Sequence, residues 1–141
     1  MKLRLATVSD IEAMHAIRLS VLENRLRDLS RVTPEKYQEM LGGRGKGWVV
    51  EDDGGVILGF GIADALSRSL WALFVQPGCE RRGLGRALHE AMVAWLFSID
   101  NKPIWLTTGP GTRAAAFYAA AGWLPQPSPV DGELCFSLSR V

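Results

Sequence analysis

Between Leu70 and Leu96 the chain reads LWALFVQPGCERRGLGRALHEAMVAWL, and this stretch constrains the fold more than any other. The apolar run Leu70–Val75 predicts a buried strand, and Pro77, lacking an N–H, cannot continue a ladder. After it, Leu84, Leu88, Ala91, Met92 and Trp95 recur at helical spacing and predict a helix from Gly85. Gly83 and Gly85 stand where the loop becomes that helix. Glycine has no Cβ, so the backbone there can turn tightly and approach a ligand closely. The first N–H groups of a helix have no partner inside it, and the macrodipole puts partial positive charge at that end. Strand, tight loop and helix in this order make an anion site, most naturally one for phosphate.

Two phosphate-binding designs are excluded by spacing. A P-loop requires Lys-Ser/Thr after its last glycine, and Gly85 is followed by Arg86-Ala87. A dinucleotide turn requires a third glycine or alanine, and the run from Gly83 reaches Leu88 instead. The wider spacing places Val75-Gln76-Pro77, a short loop and Arg81-Arg82-Gly83-Leu84-Gly85 ahead of the helix. It resembles the GNAT superfamily of N-acetyltransferases, in which a Gln/Arg-x-x-Gly-x-Gly/Ala loop holds the pyrophosphate of acetyl-CoA. Glu80 stands at the Gln/Arg position, a departure that Arg81, Arg82 and Arg86 can offset, since guanidinium groups pair well with phosphate.

Composition excludes several other classes. At 141 residues the chain is expected to form one domain spanning 1–141. Its 48% hydrophobic and 22% charged content fits an ordinary soluble globular protein. A net charge of +1 gives no bulk attraction for nucleic acid or a membrane surface. No apolar run approaches the roughly 20 residues of a membrane span. The opening MKLRLATVSD reads as a strand and a helix cap, not a signal peptide. Cys79 and Cys135 form no metal-binding pattern and read as free thiols, so a cytoplasmic setting without metal is expected.

The rest of the chain supplies the remaining elements. Lys2–Thr7 alternates as a first strand, and Ser9-Asp10-Ile11-Glu12 reads as a capping box. Ile11, Met14, Ile17, Val21 and Leu22 then follow helical spacing on one face. Thr33-Pro34-Glu35 opens a second helix that stops by Gly42-Gly43. Gly47–Glu51 and Val56–Asp64 read as a hairpin around Asp52-Asp53-Gly54-Gly55. Pro103–Thr107 is a further strand, Thr112–Ala121 a helix ended by Gly122, and Glu133–Arg140 a closing strand. The resulting order β-α-α-β-β-β-α-β-α-β is an α/β class of fold. It is similar to the GNAT fold, a mixed, mostly antiparallel sheet flanked by helices, over essentially the whole chain.

A second resemblance lies in LTTGPGTRAAAFYAAAGW, residues Leu106–Trp123. Ala114, Phe117, Tyr118, Gly122 and Trp123 match a family helix pattern, with Gly111 at its Asn position. Thr108, Thr112 or the backbone of the Gly109-Pro110-Gly111 turn are the candidates to replace that Asn. The resemblance implies that strands Leu70–Val75 and Pro103–Thr107 splay apart to admit pantetheine. Backbone groups near Phe74 and Val75 would pair with its amides and face the thioester carbonyl. Phe117 would contact the cofactor, and the Tyr118 phenol would protonate the departing thiolate. For the general base, Asp64 is the nearest candidate by topology, with water relayed from backbone carbonyls as the alternative. Glu23, Asn24 and Trp71 fall in the expected acceptor region. His15, His89 and the charged run Arg25–Arg31 read as helix surface.

The implied activity is direct transfer of an acetyl group from acetyl-CoA to a primary amine, carried by a small molecule or a peptide. Its alternative is a non-catalytic acyl-CoA-binding domain of the same fold. Exposed strand edges in this fold make a homodimer one expected assembly.

Overall fold

Helix and strand boundaries follow from local chemistry. In the computed structural model, residues 1–21 and 32–140 are described. The elements are β1 (Lys2–Leu5), α1 (Ile11–Ser20), α2 (Pro34–Glu39), β2 (Gly45–Glu51), β3 (Ile57–Asp64) and β4 (Ser69–Val75). They continue as α3 (Leu84–Ile99), β5 (Ile104–Thr108), α4 (Arg113–Ala120), β6 (Leu124–Gln126) and β7 (Leu134–Leu138). The strands form one seven-stranded sheet in the order β1-β2-β3-β4-β5-β7-β6.

Three local expectations are corrected. The first cap sits two residues early: Asp10 accepts the Thr7 N–H at 2.8 Å and grips Arg4 at 2.9 Å, so a single tight turn, Val8–Asp10, precedes α1. That helix ends at Ser20 with Val21 already extended, and Leu22 lies outside the described residues. A strand not expected from the sequence, β6, pairs antiparallel with β7. Elsewhere local signals act where they were read. The Thr33 side chain accepts from the Lys36 N–H to start α2, and Asp52 accepts from Gly54 and Val56, each at 2.9 Å, to close the hairpin.

Both faces of the sheet are covered, which is why β2 and β3 are buried along nearly their whole length. Leu88, Met92 and Leu96 of α3 pack with Trp48, Leu58 and Ile104 on one face. Met14 and Ile17 of α1 join Tyr37, Met40, Val49, Phe60 and Ile62 on the other. Alternation within a strand, Trp48 to one side and Val49 to the other, divides the apolar residues between the two cores.

The sheet is weakest at its middle. β4 follows β3 in antiparallel register, but between Ile62 and Ala63 the register slips, leaving Trp71 of β4 as an extra residue. A bulge of this kind bends its strand and increases the local twist. On its other side β4 meets β5 in parallel at one position, Ser69 with Trp105. Beyond that point the two strands part.

Candidate functional site

The parted strands frame a cavity of about 840 Å³. Leu73, Phe74 and Val75 of β4 form one wall, and Thr108 and Gly109 at the end of β5 form the other. The loop after β4 and the first turn of α3 close one end, and α4 supplies Thr112, Arg113, Ala114, Phe117 and Tyr118. From Leu70 onward β4 pairs with β3 alone, so its backbone groups on the cavity side are left for an extended ligand.

The loop is shaped by left-handed residues. Gly78, Arg81 and Gly83 have φ of 91°, 65° and 80°. Such residues let successive N–H groups converge on an anion, and a non-glycine there is strained, which is typical of ligand-binding turns. Gly83 precedes α3 without any side-chain cap, so the first N–H groups of α3 are left for a ligand. A Cβ on Gly85 would meet only Val75 Cγ2 at 3.8 Å, an ordinary contact, so packing alone does not demand glycine there. Arg81 and Arg86 line the cavity, as do Leu84 and Gly85; Arg82 is exposed and does not.

Glu80 does not point a bare carboxylate at this loop. It accepts the Gly78 N–H at 2.8 and 3.1 Å and pairs with Arg113 at 3.0 Å. Hydrogen bonds from its own and Gly78's backbone, with the Arg113 charge beside it, hold its carboxyl below the usual range. Gly111, at the position where an Asn was expected, has φ of 70°, a conformation that favours glycine. Thr112 takes over the polar work of this turn: its hydroxyl donates to the Gly109 carbonyl at 2.9 Å and accepts the Ala115 N–H at 3.1 Å to cap α4.

Tyr118 reaches the cavity from within an aromatic shell. Phe117, Trp123, His89 and Phe136 surround its ring at centroid separations of 5.4, 5.6, 6.3 and 6.5 Å. Only 5% of the residue is exposed, and burial pushes the phenol well above its ordinary pKa. The phenol therefore keeps its proton at neutral pH. His89 is not simple helix surface: its Nε2 accepts the Trp123 indole N–H at 2.9 Å, which places the ring proton on Nδ1.

Asp64 is corrected by its surroundings. The carboxylate is 2% exposed, receives Arg44 at 2.9 to 3.1 Å, and accepts the Leu66 and Ser67 N–H groups. It lies opposite Ser69, at the far end of β4 from Val75, about 20 Å along the strand, and does not line the cavity. Trp71 also lies outside the cavity walls, its ring 5.3 Å edge-on from Tyr37 and beneath the Arg18 guanidinium at 4.9 Å. Glu23 and Asn24 lie outside the described residues. Sequence reasoning missed Leu73, Cys79 and Arg113 as lining residues. The Gly-Pro-Gly turn after β5, matching the glycine loop after β4, was the signal that the start of α4 faces the same opening. Among the described residues no three His, Cys, Asp or Glu side chains gather as metal ligands, and no helix is long and apolar enough to cross a membrane.

Comparison with known proteins bears on the same elements. Residues 12–123 match the sequence model of the Acetyltransferase (GNAT) family. A mycothiol acetyltransferase of Beutenbergia cavernae is 34% identical over 84 residues, covering 55% of this chain and 28% of that protein. The chain thus spans under a third of this curated relative's length. A GNAT-family acetyltransferase from Staphylococcus aureus superposes with a TM-score of 0.82 at 18% identity, covering 98% of both chains. A phosphinothricin acetyltransferase from Sinorhizobium meliloti, solved with AcCoA, gives 0.78 at 17% identity, covering 98% of this chain and 87% of that one. At these identities the two structures establish likeness of fold.

Proposed function

The chain belongs to the acetyltransferase (GNAT) family, whose members are acyltransferases, and on that premise we propose that it acetylates a primary amine from acetyl-CoA within one ternary complex. The observation that carries this reading is the cavity itself, which runs from an uncapped helix N-terminus to a buried tyrosine between two parted strands. That outline fits a long ligand with phosphates at one end and a thioester at the other.

Each part of the site has a role in this reading. When bound, the co-substrate supplies an activated acyl group on a good leaving thiol. The N–H groups from Gly83 to Arg86, with the Arg81 and Arg86 guanidiniums, bind the phosphates. The free edge of β4 at Phe74 and Val75 holds the pantetheine amides and directs an N–H at the thioester oxygen, where negative charge develops. Phe117 packs against the arm. As the carbon–sulfur bond breaks, the Tyr118 hydroxyl gives its proton to the sulfur, and the proton lost by the attacking amine restores the phenol. Asp64, fully engaged with Arg44, takes no part; water held by the carbonyls of the parted strands carries off the amine proton. Holding amine and thioester together supplies much of the acceleration.

The test is release of free thiol from acetyl-CoA across a panel of small amines, amino acids and peptides. Turnover with at least one acceptor is expected, and Tyr118→Phe lowers kcat by about 10²-fold while coenzyme A binding stays unchanged. An unchanged kcat removes the proton from Tyr118. Binding with no turnover on any acceptor favours the alternative, an acyl-CoA-binding domain.

A further inference from the structure

An ion pair spans the cavity lining, between the loop after β4 and the start of α4. Glu80 belongs to the loop after β4, Arg113 opens α4, and both line the cavity. Arg113 Nη1 lies 3.0 Å from Glu80 Oε1, with side-chain exposures of 75% and 35%. A pair this exposed adds little to folding stability, so fold energy does not account for it. Its placement does have a consequence for ligands. The guanidinium lines the same cavity as Arg81 and Arg86, and the carboxylate already holds it. Glu80 is itself anchored, because the Gly78 N–H binds both of its oxygens.

We infer that Arg113 is a phosphate-binding residue of this site, and that Glu80 is its resident counter-anion, which an incoming phosphate must displace. The inference rests on the reading of the cavity as an acyl-CoA site. A phosphate group carries more charge and more acceptor oxygens than one carboxylate, and it matches the guanidinium fork at least as well. It therefore wins Arg113, while Glu80 stays nearby on the Gly78 N–H and opposes the bound phosphate throughout. Such a site binds its nucleotide less tightly than its arginines alone would allow, and it releases the spent carrier faster after transfer.

Coenzyme A binding to the wild type, E80Q, R113Q and the double variant, measured by calorimetry, tests this. Glutamine at 80 keeps an acceptor for the Gly78 N–H and removes only the charge, and both positions are on the surface, so folding is preserved. E80Q should tighten coenzyme A about fivefold and R113Q should weaken it about tenfold. In the R113Q background E80Q should bring far less gain, since the contested cation is gone. If wild-type protein binds coenzyme A and E80Q binds it no better, the assignment of Glu80 as competitor is overturned. It is equally overturned if the full gain survives in the double variant. No binding by the wild type overturns the reading of the cavity, and this inference with it.

Discussion

Asp64 and Glu80 are both carboxylates whose meaning depends on where the oxygens point. Asp64 ends β3, and its position in the topology suggested a base for the reaction. Burial acting alone would raise its pKa, but hydrogen bonds from Arg44 and from Ser67 outweigh that and hold the carboxyl below its ordinary value of 3.8. The stability it contributes is therefore present above pH 3.8 and is lost as pH falls through the lower folded value. Asp64→Asn is expected to cost about 2 kcal/mol, read by denaturant unfolding, because a buried charged acceptor of several hydrogen bonds is lost. The kcat of the folded variant should be unchanged; a large loss of kcat would return Asp64 to the chemistry. At this scale the sequence was most legible where backbone conformation decides identity, as at Gly83 and at Gly122, which turns left-handed after α4 with φ of 96°. Side-chain direction was not legible. Glu80 lines the phosphate cavity, but nothing in the sequence marks its hydrogen bonds to the Gly78 N–H or its pairing with Arg113.

Between elements, α3 is tied to the turn that follows α4 through His89 and Trp123. The imidazole accepts the indole N–H and so must be neutral, and burial lowers its pKa from the ordinary 6.5. Unfolding lets the ring take up a proton, so its contribution to stability is complete above about pH 6.5 and declines as pH falls toward the folded value. His15, which is within hydrogen-bond distance of the Tyr37 hydroxyl at 3.0 Å, is lowered first by burial and then by Arg18, and it carries the same sign. His89→Gln, whose amide oxygen can still accept from Trp123, should flatten only part of the fall in Tm as pH drops below about 6.5. An unaltered slope would mean that His89 titrates freely in the folded protein. α3, with its strong periodicity, and β3, marked by the turn residues before it, were legible from sequence. β6 was not: its three residues are all exposed, include Pro125, and show no alternation that a burial pattern could mark. It is a strand because β7 offers it partners.

Taken whole, the molecule is two partial sheets, β1–β4 and β5–β7–β6, joined at one end and open at the other. Such an opening leaves no mark in residue patterns, because an unpaired strand edge has the same composition as a paired one; only the resemblance to a known fold implied it. Arg68 pins the joined end. Its carbonyl accepts the Trp105 N–H at 3.1 Å, and the Trp105 indole donates to the Ser67 carbonyl at 2.8 Å. Its guanidinium donates to the carbonyls of Leu96 and Asp100, at 3.3 and 3.1 Å, and to that of Lys102. A cation there satisfies the end of α3 and favours its dipole. Arg68→Ala should therefore cost about 2 to 3 kcal/mol, a fall in Tm of roughly 8 °C for a chain of this length. On the proposed reading of the cavity, coenzyme A would bridge the same two partial sheets from the open end, and at a hundred times its Kd it would add about 2.7 kcal/mol. Saturating coenzyme A should thus bring the Tm of Arg68→Ala back close to that of the unliganded wild type, with amide exchange slowed in β5 and β7 as well as in the loop at Gly83. If the Tm recovers but exchange slows only in that loop, the ligand would be held by one partial sheet alone, and the account of the cavity as a seam between two would be wrong.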